Sequence, residues 1–458
     1  MIVQSLIKQI ILNCKRNPTK IALKGDDVEL SYGALLELAK DYANGIKNEE
    51  LTSNWVGIDT ALGWQCYPAI LGCWMAGKGY LPLNFTFPER RIQSIIRSSS
   101  VEAVISETDQ NDLKRILPQP GLEGYETEGK WSYLIYTSGT TGEPKGVPIQ
   151  MKNLSSFVNH YQNHKKIKLS TTDVFLQSYE LTFDVSVFCF LIAFVNSATL
   201  VLPTLTKSKQ LGLFKAIQDY NVTVTSFVPS VIRLTKDFLP RVQFPQLRYS
   251  FFSGEALMGE DAKVWMNSVP NSKVYNCYGP TETVIVCTEE LLNELDDAYF
   301  NNGLPLPLGD KFDGVDLQLV HGEIIFSGAQ TFEGYLNEPL ITDFPSGDLA
   351  HYDVKGKLLF DGRKDNQIQW NGYRIELEEL DAVLSLELNT WVKSVYLKSI
   401  EKLVVVTPLN ETIVQEQIKL CFPRYYKPSL VLKINSLPLN INGKLNINKL
   451  KKIVQDSV

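Results

Sequence analysis

Apolar residues recur every three to four positions in some stretches of this chain and every second position in others. Val3, Leu6, Ile7, Ile10 and Ile11 lie at helical spacing near the N-terminus, with Gln4, Lys8 and Gln9 between them. The stretches 31–46, 208–220 and 257–268 repeat that amphipathic pattern and predict helices. Between them, VEAVIS (101–106), SYLIYTS (132–138), TLVLP (199–203), VTVTSF (222–227) and KVYNCYG (273–279) predict strands, being short and rich in β-branched and aromatic residues. This alternation from about residue 21 to 290 predicts an α/β architecture with largely parallel sheets.

The texture changes after about 303. VDLQLVHGEIIFSG and KGKLLFDGRKDNQIQWNG predict meandering strands with glycine turns. From Ile375 a compact pattern resumes: IELEELDAVLSL and ETIVQEQIKLCF as helices, VKSVYLKS and KLVVVTPL as strands. The charged turn DGRKDNQ suggests a boundary at Asp365, dividing the chain into domains 1–364 and 365–458. A chain of 458 residues exceeds what one ordinary core organises, which agrees with two domains.

Composition narrows the function classes. Lys and Arg number 45 against 51 Asp and Glu, a formal net charge of -6, so no nucleic-acid partner is expected. The longest apolar run, Val187 to Val195, is too short to span a membrane, and the N-terminus lacks a signal-peptide pattern. A cytoplasmic protein is expected. The seven cysteines form no Cys-x-x-Cys pair and the four histidines no His-Glu-x-x-His helix, which predicts reduced, mostly buried thiols rather than a zinc site.

Two glycine-rich stretches invite a phosphate. Gly72 to Lys78 has the G-x4-G-K spacing, but Gly79 stands where the magnesium-binding hydroxyl belongs, and a helix end before a strand explains it better. YTSGTTGEPKG (136–146) follows an apolar strand instead. Thr137, Ser138, Thr140 and Thr141 offer hydroxyls, Gly139 and Gly142 permit close approach of the backbone, and Lys145 adds a mobile charge. On its own this stretch reads equally well as a phosphate cradle or a polar hairpin.

Its context resolves the choice. SYLIYTSGTTGEPKG resembles the phosphate loop of the adenylate-forming (ANL) enzymes: acyl-CoA synthetases, luciferases and the adenylation domains of nonribosomal peptide synthesis. Further resemblances follow in the family's order: LSYGALLELA (30–39), MAGKGYLPLNFTFPERRI (75–92), NCYGPTE (276–282), GEIIFSGAQTFEGYL (322–336), SGDL (346–349), GRKDNQIQWNGYRIELEEL (362–380) and NGKLN (442–446). The resemblance spans nearly the whole chain. It implies a large N-terminal α/β domain with mixed sheets and a β-barrel-like subdomain, followed by a small, mobile C-terminal α+β domain.

The activity so implied has two steps: a carboxylate attacks the α-phosphate of ATP, and a thiol then displaces AMP. Lys145, Glu282 and Lys444 match the catalytic positions, with Glu282 as ligand to Mg2+. Thr137, Ser138, Gly139, Thr140, Thr141 and Gly142 match the loop around the ATP phosphates. Gly254, Glu255, Ala256 and Tyr278 match the adenine side, Asn276, Gly279 and Thr281 further ATP-binding positions, Asp348 the ribose and Arg363 the same nucleotide surface. Asp365 matches the hinge of the mobile domain.

FDVS, residues 183–186, resembles the amino-acid-activating branch, where Asp184 would pair with the substrate's α-ammonium. Val185, Phe188, Ser226, Phe251, Ser253, Cys277, Ile285 and Val286 match the remaining pocket positions. They are apolar or weakly polar, which implies a small or medium apolar amino acid. NLSSF (153–157), FDVSV (183–187), VPS (228–230) and SGEAL (253–257) are most similar to D-alanine–D-alanyl carrier protein ligases and to free-standing peptide-synthetase adenylation enzymes. Ser253 stands where the ligases have Cys, and Val185 where they have Leu. No carrier-protein serine motif follows Lys444, so the acceptor is expected to be a separate phosphopantetheinylated carrier protein. The alternatives are an acyl- or aryl-CoA synthetase, which has no use for Asp184, and a catalytically silent binding subunit, which has no use for the lysines.

Overall fold

A computed structural model describes residues 5–120, 129–138, 143–204, 209–365, 367–370, 373–438 and 445–458. Gly139 to Gly142 and Lys444 therefore lie outside the described residues. The chain divides into two units. The first comprises Met1–Asn84, Ser98–Ile135 and Gly146–Lys364, and the second Phe85–Arg97, Tyr136–Lys145 and Asp365–Val458.

Two large sheets organise the first unit. Among the described residues one has nine strands, and its central run is parallel: Ile21–Lys24, Thr199–Val201, Val174–Leu176, Val224–Phe227, Tyr249–Phe252 and Lys273–Tyr278. Antiparallel neighbours at each end make it mixed. The other, of six strands, contains Trp55–Asp59, Gly79–Leu83 and Ala103–Ile105, and ends on Trp131–Thr137 and Lys145–Gln150, the strands that frame the glycine-rich loop. Parallel strands buried on both faces read as continuous apolar runs, and Gly79–Leu83 is buried throughout.

Helices cover these sheets. Leu6–Arg16 buries the side chains of Leu6, Ile7 and Ile10, as its spacing predicts. Tyr32–Asn48 starts at Ser31, whose Oγ accepts from the Ala34 N–H, the ordinary N-cap bond. The apolar run 187–195 becomes the helix Val185–Val195, with every side chain from Ser186 onward buried. Its sequence shows no polar face because it is surrounded by protein.

The expected helix end before a strand at Gly72–Lys78 holds, with a helix to Met75 and a strand from Gly79. Cys66–Met75 is a helix in which a Cβ on Gly72 would lie 2.6 Å from the Cβ of Tyr42. Lys78 Nζ donates to the Leu51 and Ser53 carbonyls. These glycines serve close packing and the lysine ties down a turn.

Beyond residue 314 four antiparallel strands follow, Val315–Val320, Glu323–Gly328, Phe344–Tyr352 and Leu358–Arg363, paired in chain order. The first and last of them are not paired with each other among the described residues. This is an open sheet in the place of the barrel-like subdomain.

In the second unit Lys393–Leu397, Lys402–Thr407 and Leu430–Lys433 form a sheet beside the helices Leu377–Glu387, Glu411–Cys421 and Ile447–Asp456. A buried ion pair, Arg91 to Glu379 at 3.5 Å, ties the segment 85–97 into this unit. All seven cysteines are free thiols. No helix among the described residues is long and apolar enough to cross a membrane.

Candidate active site

Three parallel strands of the first unit set the geometry. Ser226, Phe251 and Tyr275 are register partners on Val224–Phe227, Tyr249–Phe252 and Lys273–Tyr278. Side chains alternate along a strand, so Cys277, two residues after Tyr275, shares their face. The carboxyl ends of such strands are where open α/β sheets bind ligands. The helix Val185–Val195 lies against this face, and Phe188 meets Phe251 edge to face at 5.1 Å. Phe251 also stacks on Tyr275 at 5.3 Å. Ser226, Ser253, Cys277, Ile285 and Val286 are all buried. Tyr179, which has no sequence signature, sets its hydroxyl beside the Ser226 and Ser253 hydroxyls.

Asp184 immediately precedes that helix and is buried. Burial pushes its carboxyl up to about 7. The charge of Glu282 adds to the shift, while the Thr281 hydroxyl and the N–H groups of Ile285 and Val185 oppose it. Its Oδ2 has no hydrogen-bond partner among the described residues. A buried carboxylate oxygen without a donor is costly, and a cation is the group that would offset the cost.

The loop after Gly279-Pro280 folds back tightly. A Cβ on Gly279 would lie 2.5 Å from the Cα of Val286, so only glycine fits. Val284 and Ile285 follow with φ of 60° and 70°. Left-handed backbone is rare for β-branched residues and costs roughly 1–3 kcal/mol at each. Glu282, within this loop, is fully buried, and its Oε1 accepts from the Tyr335 hydroxyl at 2.7 Å. Its carboxylate oxygens are hard donors of the kind Mg2+ prefers.

Asp348 has a donor on each of its carboxylate oxygens. Arg363 donates to its Oδ1 at 2.6 Å and Tyr278 to its Oδ2 at 2.6 Å. Asp348 and Arg363 are cross-strand partners, and Arg363 also reaches the Ser346 carbonyl. Burial, then the Asp348 charge, pushes the Tyr278 phenol up, so it remains a donor. Gly347 has a φ of 75°, which glycine adopts freely, and its carbonyl accepts from the Lys364 N–H. Asn276 is buried and donates to the Leu306 and Pro307 carbonyls. Glu255 turns its carboxylate to the Ser230 N–H and to Arg233, at 2.8 and 2.7 Å.

Other expected residues fall in the second unit. Thr137 ends the strand before the loop, and Ser138 donates to the Arg374 carbonyl at 3.3 Å. Lys145 begins the strand after it. Asp365 opens the C-terminal segment of that unit, and its Oδ1 accepts from the Gln367 N–H.

A separate cluster offers metal-ligand types. His160, His164 and Glu289 bring ligand atoms within 4.8 Å of one another. However, His164 Nδ1 accepts from the Lys166 and Ile167 N–H groups. That places the ring hydrogen on Nε2, which faces Glu289 Oε1 at 2.6 Å. A nitrogen that keeps its hydrogen cannot ligate, so this cluster is a hydrogen-bonded support behind Cys277, the cross-strand partner of Glu289.

The AMP-binding enzyme family model matches residues 12–336. The chain is 29% identical to a D-alanine–D-alanyl carrier protein ligase of Bacillus licheniformis, over 98% of this chain and 99% of that protein. A ligase of the same name from Bacillus velezensis is 30% identical over 80% of each. Among solved structures, the Vibrio cholerae adenylation domain AlmE in complex with glycyl-adenosine-5'-phosphate superposes with a TM-score of 0.82, at 22% identity over 98% of both chains.

Proposed function

The chain belongs to the AMP-binding enzyme family, and from that premise we propose that it activates an amino acid as its adenylate and passes it to a carrier-protein thiol. It is an ATP-dependent, AMP-forming ligase. One oxygen of the substrate carboxylate attacks the α-phosphorus of ATP. The bond from that phosphorus to the bridging oxygen breaks, and pyrophosphate leaves. The phosphopantetheine thiol of a separate carrier protein then attacks the acyl carbon. AMP leaves, and the thiol proton passes to solvent.

The observation that carries the amino-acid reading is Asp184, a buried carboxylate with one oxygen unpartnered among the described residues. An α-ammonium group supplies the missing donors and charge; a fatty or aryl acid does not. The touching rings of Phe188 and Phe251 favour a small or medium apolar side chain. D-Alanine, the substrate in the relatives' name, is one member of that class.

On this reading Asp348 accepts the ribose hydroxyls through its remaining lone pairs, with Arg363 and Tyr278 fixing its orientation. Tyr278 lies against the adenine, with the backbone of Gly254–Ala256 opposite. Thr137, Ser138 and the residues 139–142 hold the β- and γ-phosphates, with Lys145 as counter-charge. Glu282 holds Mg2+, which when bound neutralises phosphate charge. Lys444 bridges the carboxylate and α-phosphate oxygens, where negative charge gathers in the transition state. Asp365 is the hinge that lets the domain 365–458 reorient between steps. The cytoplasm, which supplies ATP and keeps thiols reduced, suits this chemistry.

ATP–pyrophosphate exchange tests the reading with glycine and both enantiomers of alanine-sized to phenylalanine-sized amino acids, alongside aryl and fatty acids. Exchange dependent on an apolar amino acid is expected. Exchange only with an aryl or fatty acid would identify a CoA synthetase instead, and no exchange with any acid a silent family member.

A further inference from the structure

Gln330 lies in none of the positions assigned above. It is fully buried, two residues beyond the strand Glu323–Gly328. Its Nε2 meets three backbone carbonyls of one loop: Thr283 at 2.8 Å, Val284 at 3.2 Å and Val286 at 2.6 Å. Three acceptors around one atom identify it as the amide nitrogen, because only that end donates. Its Oε1 has no partner among the described residues. The fold thus leaves one buried acceptor unsatisfied to aim the donors at this loop.

The loop needs holding. Val284 and Ile285 sit in the left-handed region, which their branched side chains disfavour. The segment also bears on the amino-acid site from two directions. Ile285 and Val286 are candidate wall residues, and the Ile285 N–H faces Asp184. A peptide rotation at 284–286 would turn the wall and withdraw that N–H together.

We propose that Gln330 is a positioning residue that clamps the 283–286 backbone and thereby sets the side-chain selectivity of the amino-acid site. The inference rests on the reading that Asp184, Ile285 and Val286 face the substrate. It assigns Gln330 no contact with any reacting atom. Its effect falls on recognition of the amino acid and leaves ATP binding alone.

Gln330→Met keeps the length and removes the donors. In pyrophosphate exchange with D- and L-alanine, valine, leucine and phenylalanine, the KM of the best amino acid should rise about 10-fold, as expected for losing a set of buried hydrogen bonds. Its preference over the next side chain should shrink by a similar factor. The KM for ATP should stay within about twofold, since the donors lost face only the 283, 284 and 286 carbonyls and Glu282 is held separately by the Tyr335 hydroxyl. Adding Val284→Gly, which lets the backbone hold positive φ unaided, should recover most of the selectivity. Unchanged selectivity, or an equal kcat loss with every amino acid at unchanged KM, would overturn the proposal.

Amide hydrogen exchange over residues 281–287 gives a readout that needs no substrate. Faster exchange confined to this segment in Gln330→Met supports the clamp, and exchange equal to wild type overturns it. If Gln330→Met does not fold, Gln330→Asn, which keeps the amide but shortens its reach, is measured in the same two ways. A wild-type protein that activates no amino acid sinks the underlying reading, and hydrogen exchange still decides the clamp.

Discussion

Asp348 and Asp184 are both buried aspartates of the first unit, yet their surroundings are opposite. Asp348 has a guanidinium on one oxygen and a phenol on the other. Asp184 has an oxygen without a partner among the described residues and a carboxyl pushed up to about 7. The first is satisfied by its own chain before any ligand arrives. On the proposed reading, the second is completed by the substrate's ammonium group. On that same reading the first meets a ribose, which needs an oriented acceptor that the fold can build in advance. An ammonium group needs an uncompensated charge, which the fold must leave open at a cost to its own stability.

The comparison breaks most readily at Asp184. Asp184→Asn should lower kcat/KM for the amino acid by about 10²–10³-fold, the usual cost of removing one partner of a buried charge pair. The KM for ATP should change little. A loss below about tenfold in exchange kinetics would show that no cation docks there.

Asp348→Asn should act on a different quantity. It should raise the KM for ATP by about tenfold and lower stability by about 2 kcal/mol, because Arg363 loses its charged acceptor. Asp184→Asn, in contrast, should leave the unliganded protein as stable as wild type at pH 8, or more so. Thermal melts of both variants without ligand check this difference in sign.

The pH dependence follows from Asp184. Its carboxyl is raised from 3.8 to about 7 in the folded protein, so the folded state holds a proton that the unfolded state has released. This group's contribution therefore falls as pH rises from about 4 to about 7 and is flat above. Binding the ammonium requires the ionised form, so kcat/KM for the amino acid should climb toward pH 7 by about tenfold per unit. Asp184→Asn should flatten that limb. A wild-type profile without it would count against the assignment.

The smallest expected effect is at Tyr278. Tyr278→Phe removes one donor from Asp348 and leaves Arg363 in place. A loss of about 1 kcal/mol in stability and a few-fold rise in ATP KM are expected from equilibrium unfolding and initial rates. An effect as large as that of Asp348→Asn would mean that the phenol, rather than the guanidinium, orients the carboxylate.

The alternation of strands and helices was legible along the chain because each element buries one face, and burial writes its period into the residues. The strands near 132–138 and 273–279 stand within a residue or two of their expected limits. Tyr278, Asp348, Arg363 and Asp184 were legible as motif members. The Tyr335 bond to Glu282 and the Gln330 amide against 283–286 were not. Each joins segments more than 40 residues apart through one side chain, and one side chain leaves no periodicity to read.

The sequence by itself determined the order of the elements, the absence of any membrane-length apolar run and the list of chemically capable residues. These depend on local composition and spacing. Only the tertiary structure decided which of those residues are satisfied and which are left open. It paired Asp348 and turned Glu255 to Arg233, while Asp184 kept an oxygen without a donor among the described residues. It also assigned Phe85–Arg97 and Tyr136–Lys145 to the unit of the C-terminal residues, across a long sequence gap. Charge, burial and hydrogen-bond partners are properties of neighbours in space, and those neighbours are known only once the chain has folded.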